Sequence, residues 1–158
     1  MFALLVATPA FAAPANDDFA NATVISKLPS HSHENTIGAT VEGGEPTSTC
    51  NTMGETVWFE FTPGSNMDLD ANTFGSRADG GSYRGEYDTV IAVYTYDGSF
   101  TQVTCDDDAA TYPDSKDHVS DVSFAATGGT TYYFQVGTYD VDVGTYTVAK
   151  LAFTLKSA

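Results

Sequence analysis

The stretch that decides the fold is residues 88–96, DTVIAVYTY, which is rich in β-branched and aromatic residues and alternates as a β-strand does. No window places apolar residues at helical spacing over three turns, so helices are not expected. Glycine-containing turn signals separate several similar stretches, which predicts an all-β fold: an antiparallel β-sandwich of the jelly-roll or Greek-key kind with about nine strands. The other strong strand candidates are residues 56–62, 118–126, 130–139 and 144–155, and the weaker ones are 22–28, 35–41, 67–73 and 100–104.

A glycine-rich polar stretch, residues 75–87 (GSRADGGSYRGEY), interrupts this series of strands. Its composition predicts a surface loop that leaves the sandwich.

Length and charge limit the classes of function. The chain has 158 residues and a mass of 16.7 kDa, which predicts one sandwich domain over residues 16–158. With 21 Asp and Glu against 6 Lys and Arg, the net charge is -15. This charge argues against nucleic acids and anionic membrane surfaces as partners and favours divalent cations.

The first fifteen residues form a separate apolar segment. Residues 1–13, MFALLVATPAFAA, carry no charge and are too few to span a membrane. They fit a secretory signal peptide cleaved before Ala13, and equally a retained extended segment that adds a strand to a neighbouring sandwich. The predicted assembly residues of that segment are Phe2, Leu4, Leu5, Val6 and Phe11.

The two cysteines, Cys50 and Cys105, predict one disulfide in a secreted protein. Closing a loop of this size would contribute about 4 kcal/mol to stability. The alternative is two separate buried thiols.

Several short landmarks occur in a characteristic order. Together they resemble the bacterial pre-peptidase C-terminal domain family over about residues 16–148. The resemblance implies a jelly-roll β-sandwich from a secreted bacterial protein, a non-catalytic role in secretion, targeting or substrate adhesion, and calcium binding in some members. The landmarks are residues 16–22 (NDDFANA), 45–46 (EP), 57–59 (VWF), 88–94 (DTVIAVY), 105–108 (CDDD), 129–136 (GTTYYFQV) and 144–148 (GTYTV).

Aspartates cluster at the ends of the predicted strands. Such dense like charges repel one another, and a hard cation with oxygen ligands would relieve the repulsion. We therefore predict a calcium site, the alternative being a solvated acidic loop. Its candidate ligands are Asp106, Asp107, Asp108, Asp88, Asp17 and Asp18.

Other polar and aromatic residues give weaker indications. His31 and His33 would share one face of a strand, whereas His118 has no evident partner in the sequence. Asn21 begins the Asn-Ala-Thr glycosylation sequon. Trp58 is expected to pack inside the sandwich. Five tyrosines in or beside loops could form a carbohydrate-stacking surface, the alternative being packing in the core or at its rim: Tyr83, Tyr87, Tyr96, Tyr112 and Tyr139.

Two functions fit these observations. The sequence has no Gly-x-Ser-x-Gly motif and no unbridged cysteine pair of redox or zinc spacing, so an enzyme is not expected. The first function is a non-enzymatic extracellular filament subunit, assembled head to tail with copies of itself through the apolar segment. The alternative is a monomeric secreted module that binds carbohydrate, matrix or calcium.

Overall fold

The structure, a computed structural model, describes residues 12–80, 87–109, 118–139 and 146–158. A short 3-10 helix, Phe19–Asn21, precedes the strands. The strands are β1 (Thr23–Ile25), β2 (Ser30–Asn35), β3 (Met53–Phe61), β4 (Met67–Asn72), β5 (Arg77–Gly80), β6 (Thr89–Tyr96), β7 (Phe100–Asp106), β8 (Asp121–Ala126), β9 (Tyr132–Tyr139) and β10 (Tyr146–Ser157).

The ten strands form two sheets. Sheet 1 has the order β1-β3-β9-β6-β7, and sheet 2 has the order β2-β10-β4-β8, with β5 also pairing with β10. Neighbouring strands are antiparallel except for β1 and β3, which run parallel. The predicted antiparallel β-sandwich is therefore confirmed, with ten strands in place of about nine.

The core lies between the sheets because each strand directs alternate side chains inward. Val57, Phe59 and Phe61 point inward from β3, and Leu151 and Phe153 point inward from β10. The rings of Phe59 and Phe153 stack across the interface with centroids 4.4 Å apart. This contact joins β3 and β10, each an interior strand of its sheet.

The outer face of sheet 1 is buried as well. Trp58, which alternates with Val57 and Phe59, is fully buried there beneath Phe19 of the 3-10 helix, with ring centroids 5.2 Å apart. We call residues 39–52, which form most of the connection from β2 to β3, the covering loop. Glu45 of this loop accepts a hydrogen bond of 2.8 Å from Trp58 Nε1. The predicted burial of Trp58 is confirmed, but it lies beneath the 3-10 helix and the covering loop and not between the two sheets.

A disulfide fixes the covering loop to sheet 1. Cys50 and Cys105 are bonded, with Cα atoms 5.9 Å apart, so the predicted bridge is confirmed. Thr49 adds a backbone hydrogen bond of 3.0 Å to Gln102 Oε1 on β7. The bridge is typical of a protein from an oxidising compartment.

Two predictions about strands were wrong. The weak candidate at residues 35–41 is not a strand; β2 lies earlier, over Ser30–Asn35, where polar residues are tolerated because one face of this edge strand is in solvent. The predicted excursion at residues 75–87 contains β5, which pairs with β10. Its residues 81–86 lie outside the described part of the chain.

Within the described residues, no helix has the length and apolar character needed to cross a membrane.

Candidate metal centre

The polar side chains of the candidate site lie at one end of the β6–β7 hairpin. Because β6 and β7 are antiparallel with Ile91 opposite Asp106, the residue before β6 and the residues after β7 meet at the same end. Asp88 is that preceding residue, and Asp108 lies two positions beyond β7. The pairing register therefore brings these two carboxylates together.

The segment entering β8 passes over the same end. The amide of Thr89 donates a hydrogen bond of 2.9 Å to the carbonyl of His118, and the amide of Ala109 donates one of 2.7 Å to the carbonyl of Val119. These two bonds tie residues 118–119 to both strands of the hairpin. The His118 side chain is thereby placed beside the two aspartates.

A buried hydroxyl network supports this junction. Thr73, Thr89 and Ser120 are fully buried, and Thr73 Oγ1 lies 2.6 Å from Thr89 Oγ1. Ser120 Oγ donates to the carbonyl of Thr89 at 2.6 Å, while the Ser120 amide donates to Thr73 Oγ1 at 2.8 Å. Because these bonds join sheet 1 to sheet 2, the positions of Asp88 and His118 are set by the sandwich itself.

The three side chains form a compact group. His118 Nδ1 lies 3.6 Å from Asp108 Oδ1 and 3.9 Å from Asp88 Oδ2. One ligand atom from each residue lies within 4.8 Å of the other two. The side chain of Asp88 is 4% exposed, that of His118 25% and that of Asp108 59%, so the group opens to solvent on the Asp108 side. We call these three residues the metal centre.

The other two aspartates of the predicted loop are directed elsewhere. Asp106 Oδ2 accepts a hydrogen bond of 2.8 Å from the Asp121 amide, and Asp107 Oδ2 accepts one of 2.8 Å from Asn51 Nδ2. Burial raises the pKa of Asp106 and of Asp107, in each case against the effect of these hydrogen bonds. They surround the metal centre with acidic groups and are not members of it.

Asp17 and Asp18 have separate partners near the 3-10 helix. Asp17 Oδ1 accepts a hydrogen bond of 2.7 Å from the Thr40 amide, and Asp18 Oδ2 accepts one of 3.3 Å from Asn21 Nδ2. The structure does not join them to the metal centre. Asn21 is exposed, and its glycosylation stays a prediction.

His118 is the member of this group that sequence reasoning missed. It lies ten positions after Asp108, and no motif links the two. The one available signal was topological: the chain leaving β7 must return to the same end of the sandwich to begin the next strand. A histidine at the start of that strand would then lie near the aspartates that end β7.

Two further predictions concern surface side chains. His31 and His33 are exposed on one face of β2, as the strand alternation required. Tyr87 is 1% exposed, so it packs in the core, as the alternative to a carbohydrate-stacking surface predicted. Its hydroxyl accepts a hydrogen bond of 2.9 Å from Thr138 in the interior. Tyr96 is 44% exposed, whereas Tyr83 and Tyr112 lie outside the described residues.

The predicted assembly residues also lie outside the described part of the chain, which begins at residue 12. Filament formation through Phe2, Leu4, Leu5, Val6 and Phe11 therefore stays a prediction.

Comparison with known proteins gives matches among solved structures. No protein-family model and no curated protein matches the sequence. The pre-peptidase C-terminal domain of a collagenase from Bacillus anthracis is similar with a TM-score of 0.49 and 14% identity, over 85% of this chain and 94% of that one. It is a domain of the family that the sequence resembles.

CorA, a surface-associated copper-binding protein important for copper acquisition in Methylomicrobium album BG8, is similar with a TM-score of 0.54 and 10% identity. The similarity covers 87% of this chain and 98% of CorA. At this level of identity, the comparison establishes a shared β-sandwich fold.

Proposed function

We propose that this chain is a secreted, non-enzymatic β-sandwich module that binds one divalent metal ion between Asp88, Asp108 and His118. The observation that carries the proposal is the convergence of two carboxylate oxygens and one imidazole nitrogen within 4.8 Å. Ligand atoms about 2.1 Å from a tetrahedral metal lie roughly 3.4 Å apart. The spacings of 3.6 and 3.9 Å need only a small contraction to reach that value.

The mixed donor set favours a transition metal. Calcium prefers oxygen ligands, as the sequence-based prediction from aspartates alone assumed. His118 replaces one of those oxygens with an imidazole nitrogen, a donor that suits Zn²⁺ and Cu²⁺. CorA, which shares the fold, is a copper-binding protein, so a sandwich of this kind is compatible with metal binding.

The negative charge around the metal centre also favours binding of a cation. Asp106 and Asp107 add negative charge next to the metal centre, and the whole chain carries a net charge of -15. A divalent cation would reduce the repulsion among these carboxylates. We therefore expect metal binding to stabilise the folded chain.

Calorimetric titration of the chelator-treated full chain with Zn²⁺, Cu²⁺ and Ca²⁺ tests the proposal. We expect one bound ion per chain, with Zn²⁺ and Cu²⁺ binding more tightly than Ca²⁺. Asp108→Asn and His118→Gln should each weaken binding at least about tenfold, a loss of roughly 1.4 kcal/mol.

Asp97→Asn is the matched control for this titration. Asp97 lies in the turn at the opposite end of the β6–β7 hairpin, about 26 Å from Asp88 for an eight-residue strand. Absence of one-to-one binding, or equal losses in Asp97→Asn and Asp108→Asn, would contradict the proposal. Tighter binding of Ca²⁺ than of Zn²⁺ would overturn the choice of metal.

Head-to-tail filament formation is a second candidate function, favoured by the edges of sheet 1. Its described edge strands are β1, with only three residues and Val24 68% exposed, and β7, with Val103 41% exposed. Such edges can accept an added strand from another copy.

Electron microscopy of secreted material, with intact mass from the same sample, tests this second candidate. We expect filaments whose subunits retain residues 1–12, and their loss in Leu4→Asp. Dispersed particles with a mass beginning at Ala13 would contradict it.

A further inference from the structure

The outer face of sheet 2 contains a depression of about 410 Å³ where β2, β10 and β5 lie side by side. Its volume is within the range of about 300–1,000 Å³ found for small-ligand sites. We call it the basic depression, because His33, Arg77 and Lys150 line it. It does not involve the residues of the metal centre.

Strand register explains why these three side chains meet. Lys150 on the middle strand, β10, pairs directly with Arg77 on β5, and Ala152 on β10 pairs with His33 on β2. Alternation places Lys150 and Arg77 on the same outer face, and both are exposed. The three side chains thus come from three adjacent strands of one sheet.

Gly75, which has no side chain, lines the basic depression. Gly75 precedes β5 with a φ of +90°, a conformation that favours glycine. A Cβ atom placed on Gly75 would lie 3.9 Å from the Cβ of Ala152. Because neither residue has a long side chain, space is left between His33 and Arg77.

The positive charges of Arg77 and Lys150 repel each other. Like charges directly opposite each other on neighbouring strands are destabilising. Among the described residues, neither forms an ion pair within 4.0 Å, although Lys156 on the same strand as Lys150 lies 3.4 Å from Asp70. In a chain with 21 acidic and 6 basic residues, this placement of two cations is best explained by an anionic ligand.

We propose that the basic depression binds an acidic sugar unit through its carboxylate or sulfate group. The Arg77 guanidinium can hold either group with two parallel hydrogen bonds, and Lys150 adds a second positive charge. Asp79, which also lines the depression, supplies an acceptor for a sugar hydroxyl group.

The surrounding charge selects for a short ligand. Asp79 offsets one of the two fixed positive charges, and the whole chain has a charge of -15. At physiological salt, exposed charges more than about 8 Å apart are largely screened from each other. A single anionic group in the basic depression would therefore interact mainly with Arg77 and Lys150. A nucleic acid would extend beyond this region and be repelled by the acidic surface.

The test is a titration of the full chain, after chelator treatment, followed by NMR or calorimetry. The probes are trigalacturonate as the carboxylate source, a sulfated galactose trisaccharide as the sulfate source, and neutral galactotriose. We expect saturable binding of at least one acidic trisaccharide and binding of galactotriose that is weaker by about tenfold or more. The preferred acidic probe identifies the anionic group.

Variants of exposed side chains locate the site. Arg77→Gln and Lys150→Gln should each weaken binding of the preferred probe by about tenfold, because each removes a charged hydrogen-bond donor. Lys27→Gln is the control, since Lys27 is an exposed cation outside the basic depression. Asp108→Asn should bind the probe as the unaltered chain does, which separates this site from the metal centre.

Three results would overturn the proposal. They are absence of saturable binding of both acidic trisaccharides at low salt, equal affinity for galactotriose, and equal effects of Lys27→Gln and Lys150→Gln.

Discussion

The outer face of sheet 1 is covered, whereas the outer face of sheet 2 is open to solvent. On sheet 1, Trp58 and Ala92 are fully buried beneath the 3-10 helix and the covering loop. On sheet 2, His33, Arg77 and Lys150 are exposed at corresponding outward positions. The comparison shows that one sandwich can contain a second apolar core on one side while leaving a polar face available for ligands on the other.

The largest expected effect comes from removing Trp58. Trp58→Ala should lower the free energy of unfolding by about 5 kcal/mol, because it leaves a cavity and removes a hydrogen-bond donor from Glu45. Urea denaturation followed by circular dichroism measures the change. Trp58→Phe, which keeps an aromatic ring, should cost less. A loss below about 1 kcal/mol in Trp58→Ala would mean that this face is not a core.

The disulfide should have the next largest effect. Replacing Cys50 and Cys105 together with alanine should cost about 4 kcal/mol, since the bridge closes a chain separation of 55 residues and fixes the covering loop. Urea denaturation with and without a reducing agent measures it. Reduction should destabilise the unaltered chain and leave the double variant unchanged; an unchanged midpoint in the reduced chain would refute this role.

A smaller effect depends on pH. Burial, with a further contribution from Glu42, raises the pKa of Glu45 from 4.5 to about 7. The folded chain therefore holds this proton more tightly than the unfolded chain does. The resulting stability is fully present below pH 4.5 and is lost as pH rises to about 7. Because Glu45 is partly open to solvent, we expect a loss on the order of 1 kcal/mol.

Denaturation midpoints between pH 4 and pH 8 would measure this loss. Burial also raises the pKa of Glu34, Asp106 and Asp121, which contribute with the same sign. The part of the Glu45 contribution that depends on Glu42 is isolated by Glu42→Gln, which should make the pH dependence less steep. Asp97→Asn, in a distant turn, should leave it unchanged, and identical slopes in all three chains would rule out the Glu42–Glu45 interaction.

The open face should show the smallest effects. His31→Ala and Lys150→Gln should each change the free energy of unfolding by less than about 0.5 kcal/mol. An exposed hydrogen bond of 3.0 Å joins His31 Nδ1 to Thr154 Oγ1, and the positive charge of Lys150 repels that of Arg77. Urea denaturation of the two variants measures these changes. Losses of unfolding free energy as large as that of Trp58→Ala would mean that the two outer faces contribute equally to stability.

The strands that could be predicted are those whose burial produces a recognisable run of apolar residues in the sequence. Residues such as Val57 to Phe59 and Val90 to Val93 form apolar runs, and not the alternation expected of residues 88–96, because their strands are buried on both faces. The polar edge strand β2 and the short β5 have no such pattern. Their strand conformation comes from pairing with β10, which local sequence does not encode.

The candidate metal centre was predictable in part for a similar reason. Asp88 and Asp108 were found because carboxylates at strand ends are visible in the sequence. The hydrogen bonds of Asp106 with Asp121 and of Asp107 with Asn51 are tertiary contacts, which the local sequence does not reveal. The role of His118 depends on the backbone bond between its carbonyl and Thr89, which only the assembled sandwich contains.

Trp58 is the single tryptophan of the chain, and it lies where the core of sheet 1, the covering loop and the Glu45 carboxyl group meet. Tryptophan fluorescence shifts to longer wavelength when the indole ring becomes exposed to water. The protein thus contains a built-in optical probe at this junction. Its emission would report detachment of the covering loop separately from events on the open face of sheet 2, without any added label.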